Sequence, residues 1–173
     1  MTNVKRQATR LSSWDYSRPG CYFVTVCTHE RKPLFGHVRV EGENVERTAR
    51  MLLNDQGLAC KQAIDAASET YREASVDAFV IMPNHLHMLL LLEDARGSEP
   101  STRSLLSRIV GFVKTRTTRI IRKRSPKANV WQRGFHDHIV RDEADYLRIW
   151  EYIENNPARW AQDRYYLEDA CSR

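Results

Sequence analysis

Two histidines, His85 and His87, stand two positions apart inside the apolar stretch AFVIMPNHLHMLLLLE at 78–93. Residues i and i+2 of a strand project to one face, so both imidazoles point the same way while Leu86 turns to the opposite side. Two imidazoles on a rigid strand form half of a divalent-metal site. The competing reading is two polar side chains on the uncovered face of a half-buried hairpin. Spacing alone does not separate the two, because His136 and His138 in FHDHI repeat it. The context favours a metal, since a solvent-facing position among so many apolar neighbours is more readily filled by Thr or Lys.

A second group of chemically capable residues lies in DYLRIWEYIENNPARW. At helical spacing Tyr146, Ile149, Trp150 and Ile153 form the expected core stripe, and Tyr152 falls well outside it. A flanking, half-buried tyrosine is the ordinary fate of such a residue. Arg148 and Asn156, however, stand one turn before and one turn after Tyr152 on the same side. The row offers a nucleophile, a phosphate partner and a neutral oxygen ligand. If this helix packs beside the histidine strand, Asn156 completes a His, His, Asn site and Tyr152 faces a phosphate. Pro157 disfavours helical geometry at Asn156, which bears on where that side chain sits. A tyrosine hydroxyl, with a pKa near 10, attacks poorly unaided. A divalent ion that withdraws charge from a phosphate oxygen and orients it for in-line attack overcomes that deficit. The products would be a free 3′-hydroxyl and a 5′-phosphate held on tyrosine. No Walker loop is present.

The elements that must position these groups follow from the pattern. CYFVTVCT, 21–28, reads as a strand buried on both faces, and HVRVE, 37–41, as a second short strand leading to a turn at Gly42. NVERTARMLLNDQGLACKQAIDAASETY, 44–71, reads as one long helix, with Gly57 a candidate interruption. VDAFVIM and LHMLLLLE form an antiparallel hairpin around Pro83 and Asn84. A polar loop, 93–104, precedes a helix capped by Ser101 or Ser104, with Leu105, Leu106, Ile109, Val113 and Ile120 as its apolar stripe. That helix ends at Pro126. FHDHIVR then alternates like an edge strand, and Asp142 caps a last helix running to Pro157. With the extra strand set aside, the order is βαββαβ. The expected class is α+β, a small antiparallel sheet with two helices on one face, plus a C-terminal helix.

At 173 residues the chain is the length of one domain, here 1–173, with a basic N-terminal extension at 1–19 and a C-terminal tail at 164–173. Its 27 Lys and Arg against 22 Asp and Glu give a formal charge of +5. The distribution says more than the total. Between Ser101 and Ala128 nine basic residues, among them Arg103, Arg108, Lys114, Arg116, Arg119, Arg122 and Lys123, meet no acidic one. A one-sign block repels itself, which favours an anionic partner such as nucleic acid over a merely solvated face. Cys21, Cys27, Cys60 and Cys171 contain no close C-x-x-C pair, and the N-terminus lacks an apolar signal core, so a cytoplasmic protein with reduced thiols is expected. No apolar run reaches the roughly 20 residues that span a bilayer.

Together, DYSRPGCYFVTVCT, VIMPNHLHMLL, LLSRIVGFVKTRTTRII, VWQRGFHDHIVRDEADY and YIENNPARW resemble the single-tyrosine HUH-superfamily transposases of insertion sequences. Within them, Asn before Pro at Asn156 is similar to the branch associated with repetitive extragenic palindromes, whereas insertion-sequence members often carry Gln there. The stretches keep the family's order over roughly 10–163. The resemblance implies a ferredoxin-like fold, a divalent ion (Mg²⁺ or Mn²⁺) and cleavage and joining of single-stranded DNA beside a hairpin or palindromic repeat. Carried over, the His-hydrophobic-His motif is His85, Leu86 and His87, the nucleophile is Tyr152, and the residue one turn later is Asn156. His138 is assigned a structural or DNA-proximal role.

The resemblance gives the basic helix backbone phosphates to neutralise, with Arg148 nearby and Lys114 approaching the active site. Trp14, Tyr16 or Trp131 are candidates to stack on unpaired bases, although Trp131 suits the core. Relatives act as homodimers or monomers. Two rivals stand beside the active enzyme: a catalytically silent hairpin-binding module of the same fold, and a metal-binding or RNA-processing protein using both histidine pairs.

Overall fold

The structure is a computed structural model that describes residues 18–41, 48–93 and 103–163. Expectations that fall on Trp14, Tyr16, Gly42, Ser101 and Cys171 lie outside the described residues.

Among the described residues, six strands and three α-helices follow in the order β1 (Gly20–Cys27), β2 (Gly36–Arg39), β3 (Arg50–Leu53), α1 (Asp55–Thr70), β4 (Ala74–Met82), β5 (His85–Leu92), α2 (Leu105–Arg122), β6 (His136–Val140) and α3 (Glu143–Glu154). The main sheet is antiparallel throughout, in the order β4-β5-β1-β6, and β2 pairs with β3 in a separate ribbon. With that ribbon set aside, the main elements before α3 run βαββαβ.

Alternation along the central strands divides the molecule into two layers. Tyr22, Val24 and Val26 of β1 and Leu86, Met88 and Leu90 of β5 face one side, where α1 contributes Ala63 and Ile64 and α2 contributes Leu106, Ile109 and Val113. Leu89 faces the other side and meets Ile149 and Ile153 of α3, with Ala78, Val80 and Phe23 around them. The histidine face of the hairpin is therefore covered by the C-terminal helix.

Two elements differ from the sequence reading. The long helix expected at 44–71 starts only at Asp55; Arg50–Leu53 is instead a strand registered against β2, with Gly36 opposite Leu53. Met51, Leu52 and Leu53 happen to continue the helical spacing, but Asn54 ends the strand by accepting from the backbone N–H groups of Gln56 and Gly57 at 3.0 Å each. On α3 the buried arc is rotated from the one expected. Ile149 and Ile153 are buried, Asp145, Tyr146 and Tyr152 are partly covered, and Trp150 is exposed. Ser104 caps α2 and Asp142 caps α3, both through their side chains.

The hairpin turn at Pro83–Asn84 is held from outside. Thr28, just beyond β1, donates its backbone N–H (2.9 Å) and its hydroxyl (2.9 Å) to the Asn84 carbonyl, and Phe35 N–H donates to the Pro83 carbonyl at 3.0 Å. These bonds fix the end of β5 that carries His85.

Candidate functional site: a histidine pair facing a tyrosine

His85 and His87 are 0 % and 1 % exposed, their ring centroids 4.5 Å apart. Register on the central strand explains their orientation, since Cys27 lies opposite His85 and Thr25 opposite His87. Thr25 Oγ1 is 2.8 Å from His87 Nδ1, and Asn84 Oδ1 is 2.9 Å from His85 Nδ1. An imidazole with its proton on Nδ1 donates to each of these oxygens and presents Nε2 as a lone pair. Phe23 stacks on His87 at 5.0 Å and limits its rotation.

Tyr152 reaches the pair from α3. Its hydroxyl lies 3.2 Å from His87 Nε2 and donates toward Asp163 Oδ2 at 3.1 Å, and its ring meets Phe23 edge-on at 6.0 Å. The helix stops before Asn156, as Pro157 requires, and a turn carries the chain back toward the sheet. That reversal seats the Asn156 side chain at 1 % exposure with its Nδ2 3.3 Å from Asp163 Oδ2. Among the described residues, Asn156 Oδ1 has no hydrogen-bond partner. A buried amide oxygen left unsatisfied costs about 1–3 kcal/mol, and a cation is one partner that would satisfy it. Donor atoms of His85, His87 and Asp163 all lie within 4.8 Å of one another. Two imidazoles, an amide oxygen and a carboxylate suit a divalent ion.

Sequence reasoning missed Asp163. It follows Trp160–Gln162, a single 3-10 turn, and no periodicity links it to Tyr152. Trp160 in the same turn lies 5.9 Å from the His85 ring.

Beside the pair opens a cleft of about 560 Å³ lined by Phe23, His87, His138, Arg148, Tyr152 and Arg159 among others. His138 sits opposite Phe23 on β6, and its Nε2 is 2.7 Å from Asp145 Oδ2. Arg148 bonds the other oxygen of Asp145. The hydrogen bond from His138 holds the Asp145 carboxyl down from its ordinary 3.8 to about 2, against the effect of burial. His136 is exposed on the edge strand, and among the described residues the second histidine pair joins no comparable cluster.

The basic residues of α2 are spread over the opposite layer. A groove of about 610 Å³ is lined by Lys114, Arg119, Arg122, Lys123 and the segment Asn129 to Gln132. Arg119, Arg122 and Lys123 are exposed there. Arg108 and Arg116 lie over the rings of Tyr71 and Phe112 at 5.5 and 6.0 Å, and Arg103 stands just before the helix. Lys114 ties down the loop after the groove, donating to the carbonyls of Gln132 (2.6 Å) and Gly134 (2.8 Å). Burial lowers its pKa. Trp131 is buried against Phe35 at 5.1 Å and donates its indole N–H to the Lys114 carbonyl at 3.2 Å.

With this geometry in view, the profile of the family described as "Transposase IS200 like" matches residues 21–156. The chain belongs to the IS200-like transposases. An uncharacterised protein of Haemophilus influenzae is 35% identical to it over 177 residues, covering 94% of both chains. A second protein of that organism, described as a candidate REP-associated tyrosine transposase, is 24% identical over 155 residues, covering 84% of this chain and 74% of its own. In fold, the transposase is similar to a REP-associated tyrosine transposase solved bound to a REP hairpin, with a TM-score of 0.58 and 20% identity over 90% of this chain and 77% of that one. The matched profile spans the histidine pair, Tyr152 and Asn156 and ends short of Asp163. No helix of this transposase is long and apolar enough to cross a membrane among the described residues.

Proposed function

We propose that this transposase cuts and rejoins single-stranded DNA next to hairpins, using Tyr152 as nucleophile and a 5′-phosphotyrosine as the stored bond. The observation that carries this reading is the approach of Tyr152 to His87 Nε2 at 3.2 Å from a different element, with Asp163 Oδ2 accepting from both the Tyr152 hydroxyl and the Asn156 amide. A tyrosine that served only packing would not need a buried imidazole and a carboxylate at its hydroxyl.

His85, His87 and Asn156 would hold a divalent ion, Mg²⁺ or Mn²⁺. Bound there, such an ion supplies Lewis-acid polarisation of a phosphate oxygen. The chain's own residues do the rest. Thr25 and Asn84 orient the imidazoles, and α3 holds the Tyr152 oxygen in place. That oxygen attacks phosphorus and loses its proton, while the 3′-oxygen leaves and takes one up. Reversal by another 3′-hydroxyl joins a different strand without a nucleotide triphosphate. Arg148 and Arg159 border the cleft beside Tyr152, where a backbone phosphate would lie. Arg119, Arg122 and Lys123 on the far layer, with Arg108 and Arg116 along the same helix and Arg103 just before it, would neutralise a hairpin's phosphates, Lys114 shaping the groove by anchoring its loop. The fold neighbour solved with a REP hairpin supports a hairpin as partner.

Covalent capture tests the reading. Purified protein is incubated with Mg²⁺ or Mn²⁺ and 3′-labelled hairpin oligonucleotides drawn from palindromes flanking its gene, then run on a denaturing gel beside Tyr152→Phe. A metal-dependent adduct absent from Tyr152→Phe is expected. Tight binding with no adduct would instead mark a hairpin-binding module, and an adduct surviving in the variant would remove Tyr152 from the nucleophile's role.

A further inference from the structure

We infer that Asp163, from the segment beyond the family's matched region, supplies an anionic ligand to the divalent ion, making the set two imidazoles, one amide oxygen and one carboxylate. The inference rests on the reading of His85 and His87 as metal ligands and adds to it a donor from outside the residues that the family profile matches.

Three independent features converge on this carboxylate. Its oxygen lies within 4.8 Å of ligand atoms of both histidines, close to the spacing of donors around one ion when each sits about 2–2.5 Å from the metal. Asn156, whose Oδ1 is buried with no hydrogen-bond partner among the described residues, donates an N–H of Nδ2 to Asp163 Oδ2 at 3.3 Å, so the amide helps to hold the carboxylate beside the histidines. The backbone is also built to deliver it. Pro157 ends the helical path, Arg159 N–H closes the reversal onto the carbonyls of Asn155 and Asn156 at 3.2 Å each, and Trp160 rests near His85.

The added charge changes what the site should bind. Two neutral imidazoles and an amide leave the full charge of a divalent ion uncompensated, whereas a carboxylate offsets half of it and brings an oxygen donor. Mixed nitrogen and oxygen donors favour Mn²⁺ over Mg²⁺, which prefers oxygen and its own waters. Asp163 also accepts from the Tyr152 hydroxyl, so one carboxylate touches both the nucleophile and the proposed ion site.

The test needs no DNA. Mn²⁺ and Mg²⁺ are titrated calorimetrically into the full-length protein and into Asp163→Asn and Asp163→Glu, with circular dichroism and melting curves as the control for folding. Asp163→Asn should weaken Mn²⁺ at least about tenfold while remaining folded, and Asp163→Glu should recover part of the loss. Mn²⁺ should bind the unaltered protein more tightly than Mg²⁺. Should Asp163→Asn not fold, the unaltered protein carrying ¹³C-carboxyl aspartate answers the question by Mn²⁺ electron paramagnetic resonance. A hyperfine coupling to carboxylate carbon supports the ligand. Equal Mn²⁺ affinity within twofold in Asp163→Asn, no carbon coupling, or no divalent binding by the unaltered protein overturns it. Normal metal binding with failed covalent capture would defeat the proposed reaction and leave this ligand standing.

Discussion

The Tyr152 hydroxyl lies 3.2 Å from His87 Nε2, although the two residues are 65 positions apart and sit on a helix and a strand that share no backbone hydrogen bond. What keeps them together is the small apolar contact of Ile149 and Ile153 on Leu89 and Ala78, together with the fixed rotamer of His87. Thr25 restrains that ring from its Nδ1 side.

Thr25→Val should therefore damage the reaction without damaging the fold. Valine fills nearly the same volume on a strand but removes the 2.8 Å contact to His87 Nδ1. The rate of covalent adduct formation in single turnover should fall about 10–100-fold, with a melting temperature close to the original. An unchanged rate would show that contacts other than Thr25, the Phe23 stack among them, set the imidazole.

Arg119 and Lys123 are the groove cations for which hairpin binding should be most sensitive to salt. Replacing both by alanine should reduce the slope of log affinity against log salt by about 2, one unit for each lost phosphate contact. Calorimetric Mn²⁺ binding should not change, because the groove and the histidine pair occupy different layers.

Asp145 gives a stability signature in acid. Its carboxyl is held at about 2 when folded, first by the hydrogen bond from His138, compared with an ordinary 3.8. The folded state thus binds this proton less readily than the unfolded chain. The resulting stabilisation is fully present above pH 4 and is lost as pH falls toward 2. Asp145→Asn should lower the melting temperature by roughly 2–4 °C at neutral pH, on the order of 1 kcal/mol after solvent screening. The gap between the two proteins should close below pH 3 in melts recorded across that range.

Gly57→Ala should destabilise the protein even though alanine is the better helix former by about 1 kcal/mol. A Cβ at this position of α1 would lie 2.2 Å from the Phe35 carbonyl oxygen and 2.9 Å from Leu53 Cδ2. The first obstacle is backbone and cannot rotate away. Urea unfolding should show a loss of about 1–3 kcal/mol.

Much of this architecture is written locally. Alternation in VIM and LHMLLLLE, broken by Pro83 and Asn84, specifies the hairpin and the common direction of His85 and His87, and Ser104 and Asp142 announce their helices. Features decided by distant pairing are not. Arg50–Leu53 becomes a strand only because β2 is available to pair with it, while its leucines fit the period of the following helix equally well. Trp150 reads as core by spacing, yet α3 is rolled so that Tyr152 and Asp145 face inward and the indole is left outside. Asp163 enters the site through a reversal at Asn155 to Arg159, which has no periodic signature. Sequence alone therefore indicated the histidines, Tyr152 and Asn156 but not the carboxylate among them.

The main sheet places the histidine pair on one side and the basic groove on the other, with β6 as the edge between β1 and solvent. On the proposed function, a strand held in the groove and attacked at Tyr152 would have to go around the protein and could not go through it. The fold thus acts as a ruler. On that reading the unpaired spacer between hairpin foot and scissile phosphate would have a minimum length set by the thickness of the protein, and trimming it below that length should leave recognition intact while placing the target bond out of reach.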